Sequence, residues 1–258
     1  MKVKIYYNKS VHENASIYYE LAKKYRKKAE GAKKALRELE DRINKAKKEE
    51  LKIKEEEKIK TKVLKTKEWY EKFHWFFTSG GRLAIGGKNA QQNEILVKRY
   101  MEEEDLFFHS QIYGGSVVIL KRGIKADERE KLEVAQFAAC FSRAWKEAIT
   151  SIDVFAVKKY QLTKHTKEGG LKTGGFGIEG KMEWFKNVIL KLKVGLKDDK
   201  LYVLPALSKL ELENVIYLKP GGKLKKGEVA TKLSKIFEIH PDEFLERLPS
   251  GRFYMVKE

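Results

Sequence analysis

A single cysteine, Cys140, is all the thiol that 258 residues contain. One thiol makes no intramolecular disulfide framework and no Cys-based zinc site. No apolar run approaches the roughly 20 residues of a membrane-spanning helix. The amino terminus, Met1-Lys2-Val3-Lys4-Ile5-Tyr6-Tyr7, lacks the long apolar centre of a signal peptide. His12, His74, His109, His165 and His240 are scattered without metal-ligand spacing. No catalytic nucleophile stands out, and the P-loop spelling G-x-x-x-x-G-K-S/T does not occur. From these absences a cytosolic chain is expected, with no membrane partner, cofactor, metal or catalysis.

Breakers are scarce too. Between residues 15 and 70 there is no proline, and Gly31 is the one glycine. Apolar residues recur there at Ile17, Leu21, Tyr25, Ala32, Ala35, Leu39, Ile43 and Ala46, the narrow seam of a coiled coil. A second seam follows in Leu51, Ile53, Ile59, Val63 and Leu64. One helix of about 80 Å would satisfy the pattern. So would an antiparallel hairpin turning near residues 45–51, and periodicity does not decide between them. Two seams of similar length favour the hairpin, since each can bury the other. Residues 1–68 are therefore expected to form a short strand (3–7) and an antiparallel coiled-coil arm.

What is plentiful is positive charge. Lys and Arg number 55 against 37 Asp and Glu, a formal net charge of +18. That excess exceeds what solubility asks for and attracts polyanions: RNA, DNA or an acidic membrane surface. Residues 21–70 carry half of it, with 19 basic and 10 acidic side chains.

At residues 69–77 the composition shifts to aromatics, where the arm enters a core. Strands are expected at 74–78 and 82–86, joined by Ser79-Gly80-Gly81. Asn89 caps a helix to about residue 101, with Gln92 completing a capping box. Strands at 106–109 and 116–121 precede a second capped helix from Asp127 to about residue 148. A strand follows at 151–159. Val188, Leu190, Leu192 and Val194 alternate as one half-buried strand, followed by strands at 200–204 and 215–218. Pro220-Gly221-Gly222 reads as a turn, then helices at 227–237 and 242–247 and a strand at 253–256. Without regular βαβ spacing, residues 69–258 read as one α+β domain with a mixed sheet.

The glycine-rich stretch at 163–181 lets backbone approach a ligand, and Lys164, Lys167, Lys172 and Lys181 suit phosphate. A flexible turn with solvated lysines explains it equally well. It is not a dinucleotide fingerprint, which needs its glycines between a strand and a helix start. Glu179-Gly180-Lys181 with Asp105 sketches a metal-dependent nuclease, but such sites need convergent carboxylates. Arg82, Lys88, Asn89, Gln91, Gln92, Lys98 and Arg99 form a polar, basic cluster. Amides there could meet bases or sugars while cations hold phosphates.

The most telling stretch is Trp75-Phe76-Phe77-Thr78-Ser79-Gly80-Gly81-Arg82-Leu83-Ala84-Ile85-Gly86-Gly87-Lys88-Asn89-Ala90-Gln91-Gln92-Asn93-Glu94. It resembles the opening of the NFACT RNA-binding domain, where WF-xSS-x-G-x-L-V-I-G-G-R-D-A-Q-Q-N-E recurs. Residues 10–19, 108–116, 137–145 and the glycine-rich stretch are similar to further blocks of that family, in the same order. The resemblance implies a ribosome-quality-control factor on the large ribosomal subunit carrying a stalled nascent chain. Such factors bind transfer RNA, support template-free tailing, and in eukaryotes recruit a ubiquitin ligase through the coiled coil. Carried onto this chain, it implies RNA contacts at Arg82, Lys88, Gln91, Gln92, Lys98, Arg99, His109, Lys164 and Lys181, joined by Lys167 and Lys172 from the glycine-rich stretch. Asn89, Gln111 and Tyr113 depart from the family's Asp, Asp and His, which puts acid–base roles there in doubt. The family's N-terminal half is not in this sequence, which reads as a fragment or half of a split gene. Tailing is not expected of it alone, and the missing half is an expected partner. A nuclease and a basic protein-interaction module are the rival readings.

Overall fold

With no proline and no glycine after Gly31 to stop it, the seam folds as one helix, α1 (Val11–Thr61), 51 residues and roughly 76 Å long. Its start is a capping box: the Ser10 hydroxyl accepts from the Glu13 amide at 3.2 Å, and the Glu13 carboxylate accepts from the Ser10 amide at 2.7 Å. The chain is described here from a computed structural model, which covers residues 3–61, 68–112, 114–166 and 169–257. It divides into two units, Met1–Thr61 and Lys62–Glu258.

The hairpin expected of the arm is not formed. Residues 45–51 are Lys, Ala, Glu and Leu, all strong helix formers, and extending a helix is easier than nucleating a second one. Leu36, Leu39 and Ile43 are consequently more than half exposed. Residues 3–7 are not a strand either. Asn14 folds that segment back, accepting from the Tyr6 amide at 2.9 Å and donating to the Tyr6, Lys9 and Ser10 carbonyls.

The second unit runs β1 (His74–Phe77), β2 (Leu83–Gly86), α2 (Ala90–Ile95), β3 (Leu106–Ser110), β4 (Val118–Leu120), α3 (Glu128–Cys140), α4 (Arg143–Lys146) and β5 (Ser151–Lys158). Four short pieces follow: β6 (Leu162–Thr163), β7 (His165–Thr166), β8 (Gly169–Gly170) and β9 (Gly177–Ile178). Then come β10 (Glu183–Ile189), β11 (Leu192–Lys197), β12 (Lys200–Pro205), β13 (Glu213–Lys225), α5 (Lys226–Phe237), α6 (Pro241–Arg247) and β14 (Arg252–Lys257). The class is α+β. One sheet has the order β1-β2-β4-β3-β5-β10 and another β12-β11-β13-β14. Every pairing among the described strands is antiparallel, so the parallel component of a mixed sheet is absent there.

Both faces of the six-stranded sheet are buried, which is why its strands read as nearly continuous apolar runs. Phe76, Ala84, Phe108, Val118 and Val154 join α3 and the second sheet in one core. Their strand neighbours Trp75, Ile85, Phe107, Ile119 and Phe155 point the other way, onto Leu96, Val97 and Met101.

Three expected elements come out differently. The long second helix breaks after Cys140, because the Ser142 hydroxyl donates to the Ala139 carbonyl at 2.7 Å and accepts from the Ala144 amide, capping α4. The single strand expected around 188–194 is two strands in different sheets. There Lys193 is buried, its ammonium donating to the Ser208 and Leu210 carbonyls at 2.7 and 2.8 Å. Pro220-Gly221-Gly222 is a bulge inside β13, whose pairing with β14 resumes at Leu224; a bulge tolerates the missing proline donor. Cys140 is buried, and burial pushes its thiol up, as a small core residue requires. Among the described residues no helix is long and apolar enough to cross a membrane.

Since the second unit holds the apolar core, residues 62–258 alone should keep a cooperative thermal transition. We expect its Tm within about 4 °C of the full chain's, the shift that roughly 1 kcal/mol gives at this size. Loss of the transition in calorimetry would place part of the core in the arm.

Candidate nucleic-acid interface

The site starts where β2 ends at Gly86-Gly87. A Cβ on Gly87 would collide with the Asn93 side chain and come within 2.8 Å of its amide, so only glycine lets α2 pack this close. Asn89 caps α2 by accepting from the Gln92 amide at 2.9 Å. Gln92 reaches back to the Lys88 amide at 3.0 Å, one residue earlier than the box expected. Asn93 turns inward, accepting from the Val117 amide and donating to the Gly115 carbonyl. After Ile95 the helix widens into a π-turn, Leu96–Tyr100, which carries Lys98 and Arg99.

Glu94 faces the glycine-rich stretch. Its carboxylate accepts from the Lys164 ammonium, from the Gly174 amide at 2.9 Å, and from Lys98 at 3.0 Å. Burial alone would raise its pKa; the three donors and the Lys164 charge outweigh that and hold it at about 2. Gly174 has φ +77°, and a Cβ there would lie 2.7 Å from the Ala90 carbonyl. Lys164 also donates to the Gly175 carbonyl at 2.8 Å and lies 3.9 Å from the Phe176 ring centroid. The stretch is a pinned structure with antiparallel pairs, β6 with β9 and β7 with β8.

Between this loop, the start of α2, residues 109–117, α4 and the end of α6 lies a cleft of about 1360 Å³. Five basic side chains line it, Lys88, Arg143, Lys146, Lys172 and Lys226, against two carboxylates, Glu147 and Glu246. Aromatic walls come from His74, Phe107, His109, Phe141, Phe155 and Phe176. Arg143 donates to Glu147 at 2.6 Å. Burial lowers the Lys226 pKa, and the Lys88 charge lowers it further. Burial and then those two lysines hold His74 well below the usual imidazole range; its buried Nδ1 meets no partner. His109 is lowered by burial, against the raising effect of the Ser110 and Gly115 backbone. The arrangement is a cationic rim over an aromatic floor.

Residues 72–180 match the NFACT protein RNA binding domain. The chain carries an NFACT RNA-binding domain. It is 38% identical over 78% of its length to the archaeal Rqc2 homolog aRqcH of Methanocaldococcus jannaschii, covering 31% of that protein. It is 34% identical over 72% of its length to the ribosome quality control complex subunit NEMF homolog of Drosophila melanogaster, covering 19% of it. Against human ribosome quality control complex subunit NEMF it is 34% identical over 66% of its length, covering 16%. The chain thus spans about a third or less of these relatives.

The sequence-derived positions separate. Lys88, His109 and Lys172 line the cleft. Gln91 and Arg99 are exposed beside it in sequence, and Lys181 is exposed beyond β9. Lys98 and Lys164 are tied to Glu94, and Gln92 to the cap. Lys167 lies outside the described residues. Arg82 is 27% exposed, donating to the buried Glu130 and, at 2.8 Å, to the Lys125 carbonyl. Asp105, the partner sketched for a nuclease, is buried and already accepts from Lys121, the Arg122 amide and the Glu102 amide. Among the described residues no cluster of three His, Cys, Asp or Glu side chains could hold a metal. Sequence reasoning missed Glu94, Arg143, Lys146 and Lys226. The signal for two of them was Ser142, a helix cap inside an apolar run.

Arg82→Ala should destabilise the fold by about 3 kcal/mol in denaturant titration, because it strands a buried carboxylate; the Thr78 hydroxyl and Asp127 amide keep the loss at the lower end. An unchanged midpoint would return Arg82 to the surface set.

Glu94→Gln should release the loop, read as faster tryptic cleavage at Lys172 with Tm little changed. The depressed pKa of Glu94 makes its contribution complete above the ordinary value of 4.5 and lost as pH falls towards 2. Wild-type loop protection, measured with an acid protease, should therefore persist at pH 5 and fail only below about 4.5. Loss beginning above pH 6 would contradict the latch.

Proposed function

We propose that this chain is the RNA-binding part of a ribosome quality control factor, acting on large ribosomal subunits that hold a stalled nascent chain. Its RNA ligands in this reading are tRNA and ribosomal RNA, and it performs no catalysis of its own. One observation carries the reading: five basic side chains converge on one cleft, and four of them, Lys88, Arg143, Lys146 and Lys172, lie within the residues matched to NFACT RNA binding. Its Drosophila relative is a homolog of a ribosome quality control complex subunit, and its human relative is such a subunit. Phosphates meet Lys88, Lys172, Arg143, Lys146 and Lys226, and Gln91, Arg99, His109 and Lys181 extend the surface. Lys164 acts through the loop it anchors, and Lys98 through its pair with Glu94. The exposed seam of α1 is the surface this reading gives to a partner protein.

Fluorescence anisotropy with labelled tRNA tests it. Affinity should fall steeply with salt as lysine–phosphate contacts release counterions, with no requirement for a divalent ion. Charge reversal at Arg99 and Lys172 should weaken binding more than reversal at Lys33 and Lys34, because cations on a fixed frame lose less freedom on contact. A flat salt profile, or equal losses from both pairs, would leave only diffuse electrostatics.

A further inference from the structure

We infer that the cleft takes an unpaired run of RNA, its bases against the rings of Phe176 and His109 and its phosphates on Arg143, Lys146 and Lys226. The inference rests on the RNA-binding reading above and narrows its ligand. At about 1360 Å³ the cleft exceeds the roughly 300–1,000 Å³ of a pocket built for one small molecule. Its chemistry is layered as a single strand is layered, apolar rings inside and cations outside. Bases in a duplex are stacked and paired, and the deep, narrow major groove of an RNA helix hides their edges. A concave ring-lined slot can only meet bases that have been splayed out.

The cations are placed for this use. Ser142 ends α3 and starts α4, so Arg143 and Lys146 project onto the cleft while the apolar helix before them stays in the core. Lys226, at the first turn of α5, is half-buried close to Lys88, and both charges act on His74. Like charges held together at a partly dry site repel, and an arriving phosphate relieves that repulsion. The His109 ring donates from Nδ1 to the Ser110 carbonyl at 2.6 Å and stacks on Phe107, which fixes its plane at the cleft wall. Phe176 is fixed by Phe107 at its edge and Lys164 on one face.

The test compares a fluorescein-labelled, unstructured RNA of about ten nucleotides with a blunt duplex of equal length, both binding the full chain at one low salt. The single strand should bind at least about tenfold tighter. Phe176→Ala with His109→Ala should cost the single strand about tenfold, within the range measured for lost base stacking, and leave the duplex unchanged. Because those rings also pack, R143E/K146E, both exposed, provides a second reading. It should weaken single-strand binding more than K33E/K34E, an equal charge change on exposed positions of α1. Equal affinity for both RNAs, or a larger loss from K33E/K34E, would overturn the cleft assignment while RNA binding itself stands. If neither RNA binds better than it binds an equally basic unrelated protein, the RNA reading fails first.

Discussion

One carboxylate, Glu94, decides whether there is a cleft at all. A glycine-rich loop of this length loses much backbone freedom when it is ordered. Two loop groups, the Lys164 ammonium and the Gly174 amide, bind Glu94, whose carboxylate is also paired with Lys98 one helical turn away. A side chain on Gly174 would clash with the Ala90 backbone and push the Gly174 amide away from Glu94. The loop thus becomes a wall because one acid is placed at the correct turn of α2. That turn is placed in turn by the Asn89 cap and the Gly87 contact with Asn93.

The opposite wall depends on a break. α3 is wholly core along its second half, from Val134 to Cys140. Had the helix continued to residue 148, as its apolar pattern suggests, Arg143 and Lys146 would lie along the same rod. The Ser142 hydroxyl instead satisfies the free backbone groups on both sides and resets the direction. A core constraint and a surface requirement meet at a single side chain.

Local chemistry in the sequence was readable where it depends on neighbours alone. The caps at Asn89 and Asp127, the Ser79-Gly80-Gly81 turn and the apolar strands all follow from side chains within four residues. What was not readable depends on distant partners. Lys193 sits in an alternating strand and looks solvated, yet two carbonyls fifteen or more residues away bury it. Arg82 stands in a basic cluster by sequence and beside Glu130 in space. The arm's two seams promised a hairpin, but a seam specifies only that a face is apolar, not where a chain turns. With no breaker at 45–51, helix propagation prevails.

Net charge is therefore a poor guide to which cations act. Of the basic side chains in the second unit, Arg82, Lys121 and Lys164 pair with carboxylates and Lys193 with backbone carbonyls. Lys226 is the contrary case. Its partial burial and the nearby Lys88 both disfavour its charge. A folded chain keeps such an arrangement when something other than stability requires it, since burying like charges together opposes folding. Partial burial beside a like charge, rather than the excess of +18, is what sets Lys226 apart from the solvated lysines.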